Sequence, residues 1–192
     1  MGLRDKAKES ALKASMPAPE GPPEKAESHG AGEGPAEPAE APKGGASLES
    51  SVTYLVEEER PDVAYSLFLS TTQQGMRGMI VSRTYPKNLR KSLNLGDVPV
   101  YWLTNAMSDE AIGPKDLERL TLTIRRFMEE GGGQVVLLDS LEYVITNNKF
   151  VSVLRLLQTI RDIVTVHKGI GIVSLKSSTL EPSKLSSVRT EL

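Results

Sequence analysis

Acidic residues at the end of an apolar run are the first feature of this sequence that could do chemistry. In "VVLLDSLEYVITNN", residues 135–148, four apolar residues from Val135 to Leu138 lead straight into Asp139, and Glu142 follows three residues later. An apolar strand that delivers a carboxylate at its C-terminal end is how a nucleotide-hydrolysing domain holds a magnesium ion. The pattern is short and occurs in many α/β proteins. Its meaning depends on what else the chain brings to the same place.

In an open parallel α/β sheet, ligands bind beyond the carboxyl ends of the strands. Segments that read as strands here end at Ser82-Arg83-Thr84, at Thr104-Asn105, at Asp139-Ser140, and near Ser174 and Lys176. The candidate polar cluster is therefore Arg83, Thr84, Thr104, Asn105, Asp139, Glu142 and Lys176. These residues would make a small site of mixed charge. Polar residues end most strands, so a sheet with no ligand would look the same.

A phosphate cradle needs Gly-rich backbone at a strand end together with a Lys, as in G-x-x-x-x-G-K-[ST]. The chain contains no such segment, and its first strand leads instead into Glu57-Glu58-Glu59. Three carboxylates where phosphates would approach repel them. The only histidines are His29, in the N-terminal stretch, and His167, at a helix end. Neither a metal site nor a Ser/His/Asp triad can be assembled from them, and no cofactor is expected.

One charge falls in an apolar stripe. On a helical wheel starting at Phe150, Leu154 lies at about +40°, Leu157 at about −20°, Val164 at about −40° and Val153 at about −60°. Arg161 falls at about +20°. An unpaired buried guanidinium costs several kcal/mol, so it either extends to solvent along its aliphatic stem or meets a carboxylate. Asp139 and Glu142 are the candidate partners for a buried ion pair, which would make the strand-end acid a structural counter-ion rather than a magnesium ligand.

The elements that must position these groups follow from periodicity and punctuation. "VTYLV" (52–56), "GMIV" (78–81), "VPVYWLT" (98–104), "QVVLLD" (134–139) and "GIGIVSL" (169–175) read as strands. Between them lie helices: Pro61 to Gly75, with Ala64, Leu67, Phe68 and Thr71 in register; Pro86 to Gly96; Pro114 to Gly131–Gly133, with Leu117, Leu120, Ile124 and Phe127 or Met128; and Lys149 to His167. A last helix starts at Pro182. Asn147 or Asn148 suits a helix N-cap, and Trp102 reads as core. Strands alternating with helices predict βαβ units, and continuous apolar strands suit a sheet covered on both faces. The expected fold is a three-layer α/β/α sandwich on a mainly parallel five-stranded sheet.

Composition divides the chain near residue 50. Residues 1–50 hold seven of the twelve prolines and seven of the sixteen glycines, and no Val, Ile, Phe, Tyr or Trp. Such a stretch cannot bury enough apolar surface to offset its ordering entropy. Residues 15–50 are therefore expected to be disordered, with a short, fraying basic helix over residues 2–14. Residues 51–192 form the expected domain; at that length a chain buries roughly two-thirds of its unfolded surface. They balance 17 Lys and Arg against 16 Asp and Glu, which leaves no electrostatic footprint for nucleic acid. There is no cysteine, no apolar run near the roughly 18 residues of a membrane span, and no secretory apolar segment at the start. A cytoplasmic location is expected.

Five separated blocks in order, "TYLVEEERPDVAYSLF", "GMIVSRTYP", "VYWLT", "VVLLDSLEYVITNNKFVSVLRLLQTIRDIV" and "VRTEL", resemble the archaeal DUF835 domain family over about residues 51–192. The resemblance implies a RecA/KaiC-like core that lacks the phosphate loop, with Asp139 in the place of the magnesium-binding acid and a strand order of 5-1-4-3-2. It also implies a domain found alone or joined to sensory and membrane modules. The expected function is a non-catalytic regulatory or scaffolding domain in signal transduction, acting through protein–protein interaction, with the N-terminal stretch as tether and a homo-oligomer allowed. The alternative is a degenerate nucleotide binder, or an ATPase-like enzyme, that uses the strand ends.

Overall fold

The computed structural model describes residues 47–192. The expected tail and its N-terminal helix lie outside the described residues, apart from the few that lead into the first strand. Six strands form one parallel sheet: β1 (Val52–Glu57), β2 (Arg77–Ser82), β3 (Val100–Leu103), β4 (Ala111–Ile112), β5 (Gln134–Leu138) and β6 (Ile170–Leu175). The helices are α1 (Asp62–Gln73), α2 (Pro86–Leu93), α3 (Leu117–Glu129), α4 (Leu141–Asn147), α5 (Phe150–Val166) and α6 (Pro182–Glu191).

Alternation along the strands separates two cores. Ile80, Val135, Leu137, Ile170 and Ile172 face α1 and α2, where they meet Ala64, Tyr65, Phe68 and Leu89. Met79, Val81, Val136, Leu138, Val173 and Leu175 face the other way, onto α3, α4, α5 and α6. Period-2 side chains on strands buried on both sides thus give the expected three layers.

The sheet order is β1-β6-β5-β2-β3-β4. This corrects the resemblance-based order of 5-1-4-3-2. In chain order the five expected strands run 1-5-4-2-3, and β4 adds a sixth beyond them. β1 stands at one edge, with β6 between it and β5. That neighbour can come close because it presents Gly171 opposite Thr53. A Cβ at residue 171 would meet the Thr53 side chain at 2.8 Å.

Two short elements escape the sequence reading. β4 has two residues, too few for any alternation, and α4 has seven. The sequence pattern offers no element between the strand that ends at Asp139 and the helix that starts near Lys149, where α4 lies. Asn147 and Asn148 are correspondingly not N-caps. Asn147 Nδ2 donates to Tyr143 O, and Asn148 ends α4 and donates to Val144 O and Pro114 O. Trp102 is half-buried rather than in the core; its Nε1 donates to Arg83 O and its ring meets Tyr85 edge-on.

Tertiary burial decides α5. Its sequence, FVSVLRLLQTIRDIVTV, is rich in β-branched residues, each of which costs a few tenths of a kcal/mol in a helix. Val153, Leu156, Leu157, Ile160, Ile163 and Val164 are buried, and each buried side chain contributes roughly 1.5–3 kcal/mol, which outweighs that cost. This face centres about 75° round the wheel from Phe150, and Phe150 and Leu154 lie at its edge, only partly buried. Arg161 therefore flanks the packed face. Its Nη1 donates to Glu191 O at 2.8 Å and ties α5 to α6. The buried pair of Arg161 with Asp139 or Glu142 does not form.

Candidate functional site

The junction between β1 and α1 lies where a phosphate-binding domain would place its cradle. A helix start leaves four backbone N–H groups without partners inside the helix. Pro61, at the N-cap, offers no side chain to accept from them. Glu58 does so from the end of β1. Its Oε2 accepts from Val63 N–H at 2.8 Å, and its Oε1 accepts from Ala64 N–H at 3.1 Å and from Ser174 Oγ at 3.1 Å. The neighbouring donors, Asp62 N–H and Tyr65 N–H, reach Arg60 O and Pro61 O. Every N–H that could hold an anion at this helix start is thus already bonded, two of them to the protein's own carboxylate.

The three successive glutamates have separate partners. Glu57 makes a two-pronged pair with Arg189 of α6 at 2.6 and 2.8 Å. Arg189 holds the Glu57 carboxyl below its ordinary range, and Glu57 in turn raises the guanidinium. Glu59 pairs with Lys176 Nζ at 3.0 Å. Hydrogen bonds from Ser178 and Lys176 lower its pKa.

Asp139 follows β5 and is buried, 4% exposed. Its Oδ2 accepts from Tyr65 Oη at 2.9 Å and from Ser82 Oγ at 2.8 Å, while Oδ1 accepts from Ser140 Oγ at 3.1 Å. Ser82 Oγ in turn accepts from Thr84 N–H at 3.0 Å. The backbone N–H of Asp139 donates to Val81 O at 2.9 Å. Three hydroxyls thus donate to a carboxylate that has no ion-pair partner among the described residues. Burial, and then the negative charge of Asp139, push the Tyr65 phenol well above its ordinary value. The phenol stays protonated and donates.

The structure sorts the sequence candidates into three places. Thr84, Asp139, Glu142 and Lys176 share a cleft of about 160 Å³ with Glu58 and Ser174. Arg83 lies beside it, with its guanidinium 3.8 Å over the Tyr143 ring and Nη1 donating to Leu103 O at 3.2 Å. Thr104 and Asn105 line a second, larger cleft of about 590 Å³ beyond β3 and β4, together with Asp109 and Arg119. Tyr65, which reaches Asp139, and Arg119, which lines the larger cleft, carry no sequence signal, because each stands on a helix that the polar strand-end pattern does not include. Among the described residues no group of three or more His, Cys, Asp or Glu side chains is placed to hold a metal ion. No described helix is long and apolar enough to cross a membrane.

The fold has a solved counterpart. The flagellar accessory protein FlaH from Methanocaldococcus jannaschii, a RecA/KaiC-like protein, superposes with a TM-score of 0.60 over 77% of this chain and 70% of that one. The two are 20% identical, so the likeness is one of fold. No curated protein matches the sequence. The sequence profile of the family described as "Protein of unknown function (DUF835)" matches residues 57–192, and the chain, with its RecA/KaiC-like sheet, belongs to the DUF835 family.

Proposed function

We propose that this chain is a non-catalytic regulatory or scaffolding domain that acts through protein partners in signal transduction. The observation that carries the reading is the Glu58 carboxylate at the start of α1. A helix N-terminus favours an anion, and here an acid fixed by the chain itself takes the position that a nucleotide phosphate would need. An incoming phosphate must displace it against like-charge repulsion. Asp139 supports the same reading, because three of its roughly four acceptor sites are already taken by hydroxyls of the chain.

Calorimetric titration with Mg-ATP and Mg-ADP tests this. No binding tighter than a Kd of about 10 μM, near −7 kcal/mol, is expected. Tighter binding with turnover overturns the reading. A second reading, a degenerate nucleotide binder, draws on the open cleft beyond β3 and β4. There Arg119 has no ion-pair partner among the described residues. Nucleotide binding that is lost in Arg119→Ala would favour it.

A further inference from the structure

The outer edge of β1 is open. β1 pairs over its six residues with β6 alone, and no strand lies beyond it among the described residues. Glu58 N–H donates to Leu175 O at 3.1 Å. With the register Glu57↔Leu175, the alternation of a parallel ladder turns the backbone groups of Tyr54 and Val56 toward β6. Those of Thr53, Leu55 and Glu57 point outward. Edge strands of soluble proteins are ordinarily blunted by Lys, Pro, a bulge or an inward-pointing charge. Val52–Val56 carries no charge and no proline, its register with β6 is unbroken, and its residues favour extended structure.

We propose that β1 pairs antiparallel with β1 of a second copy across a twofold axis at Leu55, joining the two sheets into one. The strand suits itself as a partner. With Leu55 opposite Leu55, Thr53 falls opposite Glu57 in both directions, so no like charges face each other, and Glu57 keeps its bond to Arg189. The three outward residues of each copy form narrow hydrogen-bonded pairs, about six interchain bonds in all. A single patch that complements itself is what a twofold dimer requires. The Glu58 contact to α1 is not needed for the pairing, so the dimer and the occupied cradle fail or stand separately.

Two measurements on the full chain test the proposal. Sedimentation over a range of concentrations is expected to give a species of twice the 20.9 kDa chain mass. Leu55→Pro removes an outward N–H that the β1–β6 ladder does not use, and is expected to give a folded monomer. Because that variant could fail to fold, amide hydrogen exchange of the unaltered protein provides a second readout. In the dimer, Thr53, Leu55 and Glu57 exchange as slowly as Tyr54 and Val56, and their protection falls on dilution. Fast exchange at the three outward amides, alternating with slow exchange at the other two, overturns the proposal. So does protection in a species that sediments as a monomer, which would place another segment of the same chain on the edge.

Discussion

The cleft beyond β1, β5 and β6 and the cleft beyond β3 and β4 occupy the same kind of position, at carboxyl ends of parallel strands, yet their polar groups are satisfied differently. In the first, Glu58 is bonded to two amides and a hydroxyl, Asp139 to three hydroxyls, and Lys176 to Glu59. In the second, Thr104 accepts from Ala106 N–H, while Asn105 and Asp109 are exposed on a loop and Arg119 lies on the first turn of α3. The rule that places ligands at strand ends picks out both clefts. The hydrogen-bond inventory separates them, because a group whose partners lie within the chain holds the fold, and one facing water is available to something else.

The sharpest way to break this contrast is to remove the buried acid. Asp139→Ala removes the carboxylate that the Tyr65 and Ser82 hydroxyls share, leaves Tyr65 only Ser82 Oγ at 3.2 Å as acceptor, and opens a small cavity, so stability should fall by about 2–3 kcal/mol. Asn105→Ala, in the open cleft, should stay within about 0.5 kcal/mol of the parent. Denaturant melts read both. A stable Asp139→Ala would mean that the carboxylate is held for chemistry rather than for the fold. Adding Arg161→Met should give a simple sum, within about 0.5 kcal/mol, because Arg161 bonds to Glu191 O and not to Asp139.

Glu58→Ala should cost about 1–2 kcal/mol, the range for losing a helix cap that also neutralises the helix start. Glu58→Gln, which keeps an acceptor oxygen, should cost less. If the alanine variant alone gains affinity for inorganic phosphate in a calorimetric titration, the cradle is intact beneath the carboxylate. No gain would mean that the surrounding acids exclude anions without Glu58.

Tyr65→Phe should cost about 1 kcal/mol at neutral pH and should also change the alkaline limb of stability. Burial raises the folded-state phenol above its ordinary value of 10.0. Its contribution is complete below that value and is lost as pH rises through the folded-state pKa. Melts above pH 10 should therefore fall more steeply for the parent than for the phenylalanine variant. Equal slopes would place the phenol in water.

The smallest effect belongs to Glu57. Its lowered folded-state pKa makes its contribution present above the ordinary value of 4.5 and lost as pH falls through the folded-state pKa. Glu57→Gln should slightly flatten the acid limb. Salt should screen the difference, since Arg189 is 57% exposed.

The sequence by itself determined the layers. Strands such as Val135–Leu138, apolar at every position, can be buried only on both faces. The turn residues Pro61, Gly75, Pro86, Gly96, Gly131–Gly133 and Pro182 delimit helices close to where they occur. These signals are local, because hydrophobic period and backbone geometry are written within a few residues. The sequence also placed Thr84, Asp139, Glu142 and Lys176 at strand ends, and these four do converge. Only the tertiary structure decided what the acids do. Asp139 takes its partners from α1 and β2, 74 and 57 residues away, and no period in the sequence encodes a contact between hydroxyls on other elements. The same holds for Arg161, since a wheel gives the spacing of an apolar stripe but not which part of it meets the sheet. That depends on how α3 and α6 pack beside α5, and the packing rotated the buried face until Arg161 lay at its edge, within reach of a free carbonyl at the end of α6.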